Sequence, residues 1–122
     1  MTPPPRVLRV TRVSTIRLQR LDAALANSGE EIALHAGHTA LLGRARDARV
    51  AFHEAHERQV SRRHALLWLA RETPAEWHLI DLASTGGTRV NGVEIQAVRL
   101  ATGDVVELGW HGPRLRVELV DD

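Results

Sequence analysis

Cysteine, lysine and tyrosine are all absent from this chain of 122 residues. Without cysteine there is no disulfide framework and no thiolate chemistry, a composition that fits the cytosol, and a cytoplasmic protein is expected. Without lysine there is no Schiff-base residue and no P-loop cation, because all 16 basic residues are arginine. No apolar run approaches the length needed to span a membrane, so no membrane partner is expected. The opening Met1-Thr2-Pro3-Pro4-Pro5 also lacks the apolar segment of a secretory signal. Charge of one sign is scarce in sum: the net charge is +1, too little to make nucleic acid the expected partner.

What remains is an apolar fraction of 43%, enough for one core in a chain of single-domain length. Residues 1–14 read as a basic tail or an extra edge strand, and residues 15–122 as the domain. Arg6, Arg9, Arg12, Arg17 and Arg20 all precede the first acid, Asp22, and a solvated basic segment accounts for them.

Ile16 to Gln19 alternates as a strand does; Leu21 to Ala26 fits a helical turn, and Asn27-Ser28-Gly29 is a turn signal. Glu31 to His35 and Thr39 to Gly43 are short apolar runs about a glycine, the pattern of a hairpin. Alanine-rich residues 45–60 have high helix propensity, but their flanks favour a short strand at Arg49 to Phe52 followed by a loop over His53 to Gln59. His64 to Leu69 and Trp77 to Leu82 are apolar, aromatic-bearing strands, with Trp68 and Trp77 both expected in the core. Val90-Asn91-Gly92-Val93 is a two-residue hairpin turn with positive φ at its centre. Leu100 to Asp104 forms another turn, Val105 to Leu108 a strand, and Leu115, Val117 and Leu119 alternate along the last one. Nine to eleven short strands with little room for a crossover helix point to an all-β, antiparallel β-sandwich. It lacks the cysteines and tyrosine of an immunoglobulin domain.

The stretch Ser61 to Gly92 gathers hydroxyls, glycines and arginine at its loops. Backbone N–H groups, hydroxyls and a guanidinium are the donors an anion needs, and none of them implies a reaction. Ser61, His64 and Asp81 also contain the residue types of a hydrolase triad, but Val60-Ser61-Arg62 lacks the glycine-framed elbow of a nucleophile. The His-x-x-His pairs 35/38 and 53/56 have no further ligand signature, so no metal and no cofactor are expected.

Gly43-Arg44, Ser61-x-x-His64, then Asp81-Leu82-x-Ser84-x-x-Gly87-Thr88-x-Val90-Asn91-Gly92 and Leu100-x-x-Gly103-Asp104 together resemble the forkhead-associated (FHA) domain over residues 16 to 120. The resemblance implies an FHA/SMAD-like sandwich of about eleven strands, with a phosphothreonine site on the loops at one end. Its partner would be a phosphothreonine-containing protein, a Ser/Thr kinase or its substrate among the candidates. On that resemblance Arg44 pairs with the phosphate and Ser61 donates its hydroxyl. Arg62 adds a basic contact, and Thr85 with its neighbouring N–H groups completes the cradle. Gly43, His64, Gly87, Thr88, Asn91 and Gly92 shape the site. Gly86 stands where the family has an asparagine that bonds the peptide backbone. Its loss would cost about 0.5–1.5 kcal/mol, up to about tenfold in affinity. The rival readings are a scaffold indifferent to phosphate, and nucleic-acid binding through the arginine-rich N-terminus.

Overall fold

The computed structural model describes residues 2–4, 13–21, 29–53 and 55–120. The arginine-bearing residues 5–12 of the expected tail, and nearly all of the turn-forming segment 21–29, lie outside the described residues.

Among the described residues eleven strands form in chain order: β1 (Ser14–Arg20), β2 (Gly29–Leu34), β3 (Thr39–Gly43), β4 (Val50–Ala51), β5 (Ala65–Glu72), β6 (Ala75–Asp81), β7 (Thr88–Val90), β8 (Val93–Ile95), β9 (Ala97–Arg99), β10 (Val105–Leu108) and β11 (Arg114–Val120). They make a six-stranded sheet ordered β2-β1-β11-β10-β7-β8 and a five-stranded sheet ordered β4-β3-β5-β6-β9. The sandwich is thus the expected all-β one. Its strand pairs are antiparallel except β3 with β4, which run parallel. Among the described residues no helix is long and apolar enough to cross a membrane.

Period-two alternation builds the core. Ile16 and Leu18 of β1 and Leu115 and Val117 of β11 face Leu67, Leu69, Trp77 and Leu79 of the other sheet's central strands, all of them buried. Each such side chain contributes about 1.5–3 kcal/mol on leaving water.

Two expectations are corrected here. Residues 31–43 are not a hairpin: β2 pairs with β1, Ile16 opposite Ile32, whereas β3 pairs with β5, Ala40 opposite Leu67. The Ala36-Gly37 turn changes sheet, with Gly37 at φ 86° and its N–H donating to Leu69 O at 2.7 Å. A glycine turn reports that the chain reverses, not which strand it will meet. Trp68 is likewise not in the core. It is 36% exposed, on the outer face of β5, with its ring 5.4 Å from that of His78, while Trp77 is fully buried.

The registers decide where the loops gather. Leu42 opposes Ala65, Ala65 opposes Asp81 and Leu108 opposes Thr88. The end of β3, the start of β5, the end of β6, the start of β7 and the end of β10 therefore share one end of the sandwich.

Candidate functional site

At that end the chain after β3 continues to pair with residues 61–64. Arg44 N–H donates to Ser61 O at 3.2 Å, Ala45 N–H to Arg62 O at 3.0 Å, and His64 N–H to Leu42 O at 3.0 Å. The Arg44 side chain is braced by its Nε, which donates to Val60 O. Gly43 allows the close approach of the two segments, since a Cβ there would lie 2.0 Å from Arg62 O.

Ser61 joins this ladder to the β6–β7 loop: its Oγ accepts from Thr85 N–H at 3.0 Å. A hydroxyl that accepts still has its own hydrogen to donate. His64, fully buried, ties the same two loops from beneath. Its Nδ1 accepts from Ser61 N–H at 3.0 Å, which leaves the ring hydrogen on Nε2 to donate to Gly87 O at 2.8 Å. Burial lowers the imidazole's pKa below 6.5, against the opposing pull of the Gly87 hydrogen bond and the Asp81 charge. Gly87 O also accepts from Gly109 N–H at 2.8 Å, drawing in the β10–β11 loop.

Asp81 is a staple within the β6–β7 loop. It accepts from Ser84 N–H at 3.2 Å, from Ser84 Oγ at 2.5 Å and from the buried Thr88 Oγ1 at 2.8 Å. Asn91 and Gly92 work elsewhere. They form the β7–β8 turn, with φ 52° and 80°, at the opposite end of the three-residue β7. Asn91 bonds Asp104 Oδ1 and Val105 N–H, both at 2.9 Å, so it fastens two turns of the six-stranded sheet rather than the loops around Ser61.

Gly86 has a packing reason that the sequence conceals. A Cβ there would lie 2.9 Å from Gly109 Cα, 3.1 Å from Trp110 N and 3.3 Å from Gln59 O. The β10–β11 loop occupies the space that a side chain would need. Trp110, 62% exposed, and Arg89 were not singled out from the sequence. The Arg89 guanidinium lies 4.5 Å over the Trp110 ring and donates to Gly86 O at 3.4 Å. The glycines on either side of Trp110-His111 were the available signal.

The β4–β5 loop is pinned from the far sheet. Arg20, at the end of β1, pairs with Glu57, and both side chains are largely buried at 12% and 15% exposed. Burial pushes the Glu57 carboxyl up, but the Arg20 and His53 hydrogen bonds outweigh it and leave the carboxyl below 4.5. Glu57→Gln takes the carboxylate charge away from Arg20 and should cost up to about 3 kcal/mol, the lower edge for breaking a buried pair; the shift of the urea midpoint measures it. A depressed carboxylate stabilises the fold above its unfolded pKa, and that contribution is lost as pH falls below about 4.5. The variant should lose less of its stability in that window.

The sequence model of the FHA domain matches residues 40–109, more than half of the chain. The chain belongs to the FHA domain family. Solved FHA domains agree with the whole fold. One, described for phosphothreonine-dependent FHA domain interactions, is 31% identical with a TM-score of 0.70, covering 88% of this chain and 99% of that one. The FHA domain of FhaA, solved in complex with the intracellular domain of Rv3910, is 33% identical with a TM-score of 0.66, covering 84% and 99%. The FHA domain of CT664 from Chlamydia trachomatis is 26% identical with a TM-score of 0.69, covering 89% and 99%. Among curated proteins none matches the sequence.

FHA domains are interaction modules, and the local geometry is in keeping with that. Both nitrogens of His64 bond backbone groups, and Asp81 holds Ser84 and Thr88. Neither is arranged to activate the Ser61 hydroxyl as a base and its orienting acid would be. Among the described residues there is no cluster of three or more metal-ligating side chains.

Proposed function

We propose that this FHA domain is a non-enzymatic adaptor that binds a phosphothreonine-containing protein in Ser/Thr kinase signalling, the kinase itself or its substrate. The observation that carries the reading is the pair of hydrogen bonds on Ser61. Its carbonyl takes Arg44 N–H and its Oγ takes Thr85 N–H, so three separated segments converge on one tip. In this reading the Arg44 guanidinium meets two phosphate oxygens, the geometry its planar fork suits. The Ser61 hydroxyl and the N–H groups around Thr85 and Gly86 supply neutral donors, and Arg62, exposed on the same loop, adds positive charge. Gly43, His64, Gly87 and Thr88 hold the loops; Asn91 and Gly92 brace the sheet that bears them.

A phosphothreonine peptide library, screened beside the same peptides without phosphate, tests the reading. Binding is expected only to the phosphorylated set and to weaken as salt rises. Equal binding to both sets would overturn it in favour of a phosphate-indifferent scaffold.

Gly86→Asn should not recover the peptide contact that other FHA domains make. The new Cβ meets backbone of Gly109 and Trp110 rather than a flexible side chain. The substitution is expected to cost about 1–3 kcal/mol in stability, as overpacking does, and to leave peptide affinity no better than in the parent. A tighter phosphopeptide complex in titration calorimetry would show that the loop yields.

A further inference from the structure

We infer that the cavity between the β6–β7 loop and Trp110 takes a positively charged side chain, arginine or lysine, that flanks the phosphothreonine in the partner segment. The inference rests on the phosphothreonine reading above. The cavity holds about 650 Å³, with Asp81, Thr85, Gly86, Arg89, Glu94 and Trp110 among its walls. That volume lies within the range of ligand pockets, about 300–1,000 Å³. Thr85 belongs to both sites, since its N–H donates to Ser61 Oγ at 3.0 Å. The cavity therefore begins where the phosphate cradle ends, within reach of residues flanking a phosphothreonine.

Its charge is set by a pair that does not form. Arg89 and Glu94 stand directly opposite each other on β7 and β8, where opposite charges ordinarily meet. Arg89 turns instead to Trp110, its guanidinium 4.5 Å over the ring, and donates to Gly86 O at 3.4 Å. The exposed Glu94 carboxylate folds over Gly87, with Oε1 2.5 Å from where a Cβ there would stand. Among the described residues it has no ion-pair partner. Asp81 accepts only from the neutral Ser84 and Thr88. Two carboxylates without a cation thus face one guanidinium that is already engaged. The charged tip of an arginine or lysine would meet Glu94, and its methylene stem would lie along the exposed Trp110 ring. That ring is in place before any ligand arrives. Gly109 and His111 on either side of it hold φ of 84° and 55°, and Gly109 N–H ties the loop to Gly87 O at 2.8 Å. A platform already fixed loses little freedom on binding.

The experiment titrates the protein with one phosphothreonine peptide whose flanks are alanine, placing arginine at one flanking position at a time. At one position arginine should tighten binding about fivefold or more over alanine. Lysine should share the gain, and citrulline, the neutral isostere of arginine, should not. Glu94→Gln should abolish the gain while leaving the affinity of the all-alanine phosphopeptide within about twofold. Glu94→Arg should make glutamate the preferred residue there. Glu118→Gln, which removes a half-exposed carboxylate from β11, should keep the arginine gain. Arginine that adds nothing at any position, while the all-alanine phosphopeptide still binds, would overturn the inference alone. So would a gain that survives Glu94→Gln or disappears equally in Glu118→Gln. Citrulline as good as arginine would overturn the assignment to a charged residue. A gain from glutamate in the parent protein would overturn it too, by making Arg89 the group that reads the partner. Loss of binding to every phosphothreonine peptide would instead take down the underlying reading, and this inference with it.

Discussion

Arg44→Ala should reduce phosphothreonine peptide affinity by about 2–5 kcal/mol, roughly 30-fold to several thousandfold, with the fold retained. The size follows from what is left behind: a phosphate dianion desolvated against Ser61 and loop N–H groups with its bidentate cation gone. The fold should survive because the strand-like pairing of residue 44 runs through its backbone N–H to Ser61 O, which alanine keeps. A side-chain bond that alanine does lose, Nε to Val60 O, is worth about 1 kcal/mol. Arg44→Lys keeps the charge but not the fork and should recover only part of the loss. Calorimetric titration beside a urea melt separates the two effects. Undiminished peptide binding in a folded Arg44→Ala variant would move the phosphate elsewhere on the surface.

His64→Ala should be the most damaging substitution to stability among the site residues, by roughly 2–5 kcal/mol. It deprives Ser61 N–H of its partner, an unmet donor costing about 1–3 kcal/mol in the interior, leaves Gly87 O with Gly109 N–H alone, and opens a void where a fully buried ring stood. Peptide affinity should fall as well, because the β4–β5 and β6–β7 loops lose their shared tie. The wild-type domain should also lose stability as pH drops from about 6.5 toward the lowered pKa of the folded state. Over that window the unfolded chain binds a proton that the folded His64 refuses, with a slope of at most about 1.4 kcal/mol per pH unit. Chemical melts at successive pH values measure this slope, and His64→Ala should flatten it. A variant as stable as its parent, with the same pH slope, would mean that the imidazole is not the tie it resembles.

The elements of the candidate site were readable in outline because they are local in sequence. Gly43-Arg44, Ser61-x-x-His64 and Ser84 to Thr88 each sit at a strand end, and a strand end is marked by the residue types that break alternation. The Asn91-Gly92 turn was equally plain, since positive φ at two successive residues admits few side chains. Arg20 with Glu57 was not readable: 37 residues separate them, and charged side chains pair with whatever the fold brings near. Gly86 was visible as a departure from the family, but its cause, the backbone of Gly109 and Trp110, lies in a loop whose position no local pattern specifies.

By itself the amino-acid order determined an all-β chain, the rough positions of most of its strands, and the hydrogen-bond donors gathered at its loops. Those depend on alternation, turn chemistry and donor inventory, which act over a few neighbours. Tertiary structure alone decided that β2 and β3 part into different sheets, that Trp68 faces out while Trp77 faces in, and that Arg89 lies over Trp110 rather than pairing with Glu94 opposite it. The run Ala65-Leu66-Leu67-Trp68-Leu69 is apolar on both faces, so alternation could not choose its inner side; packing against the opposite sheet did.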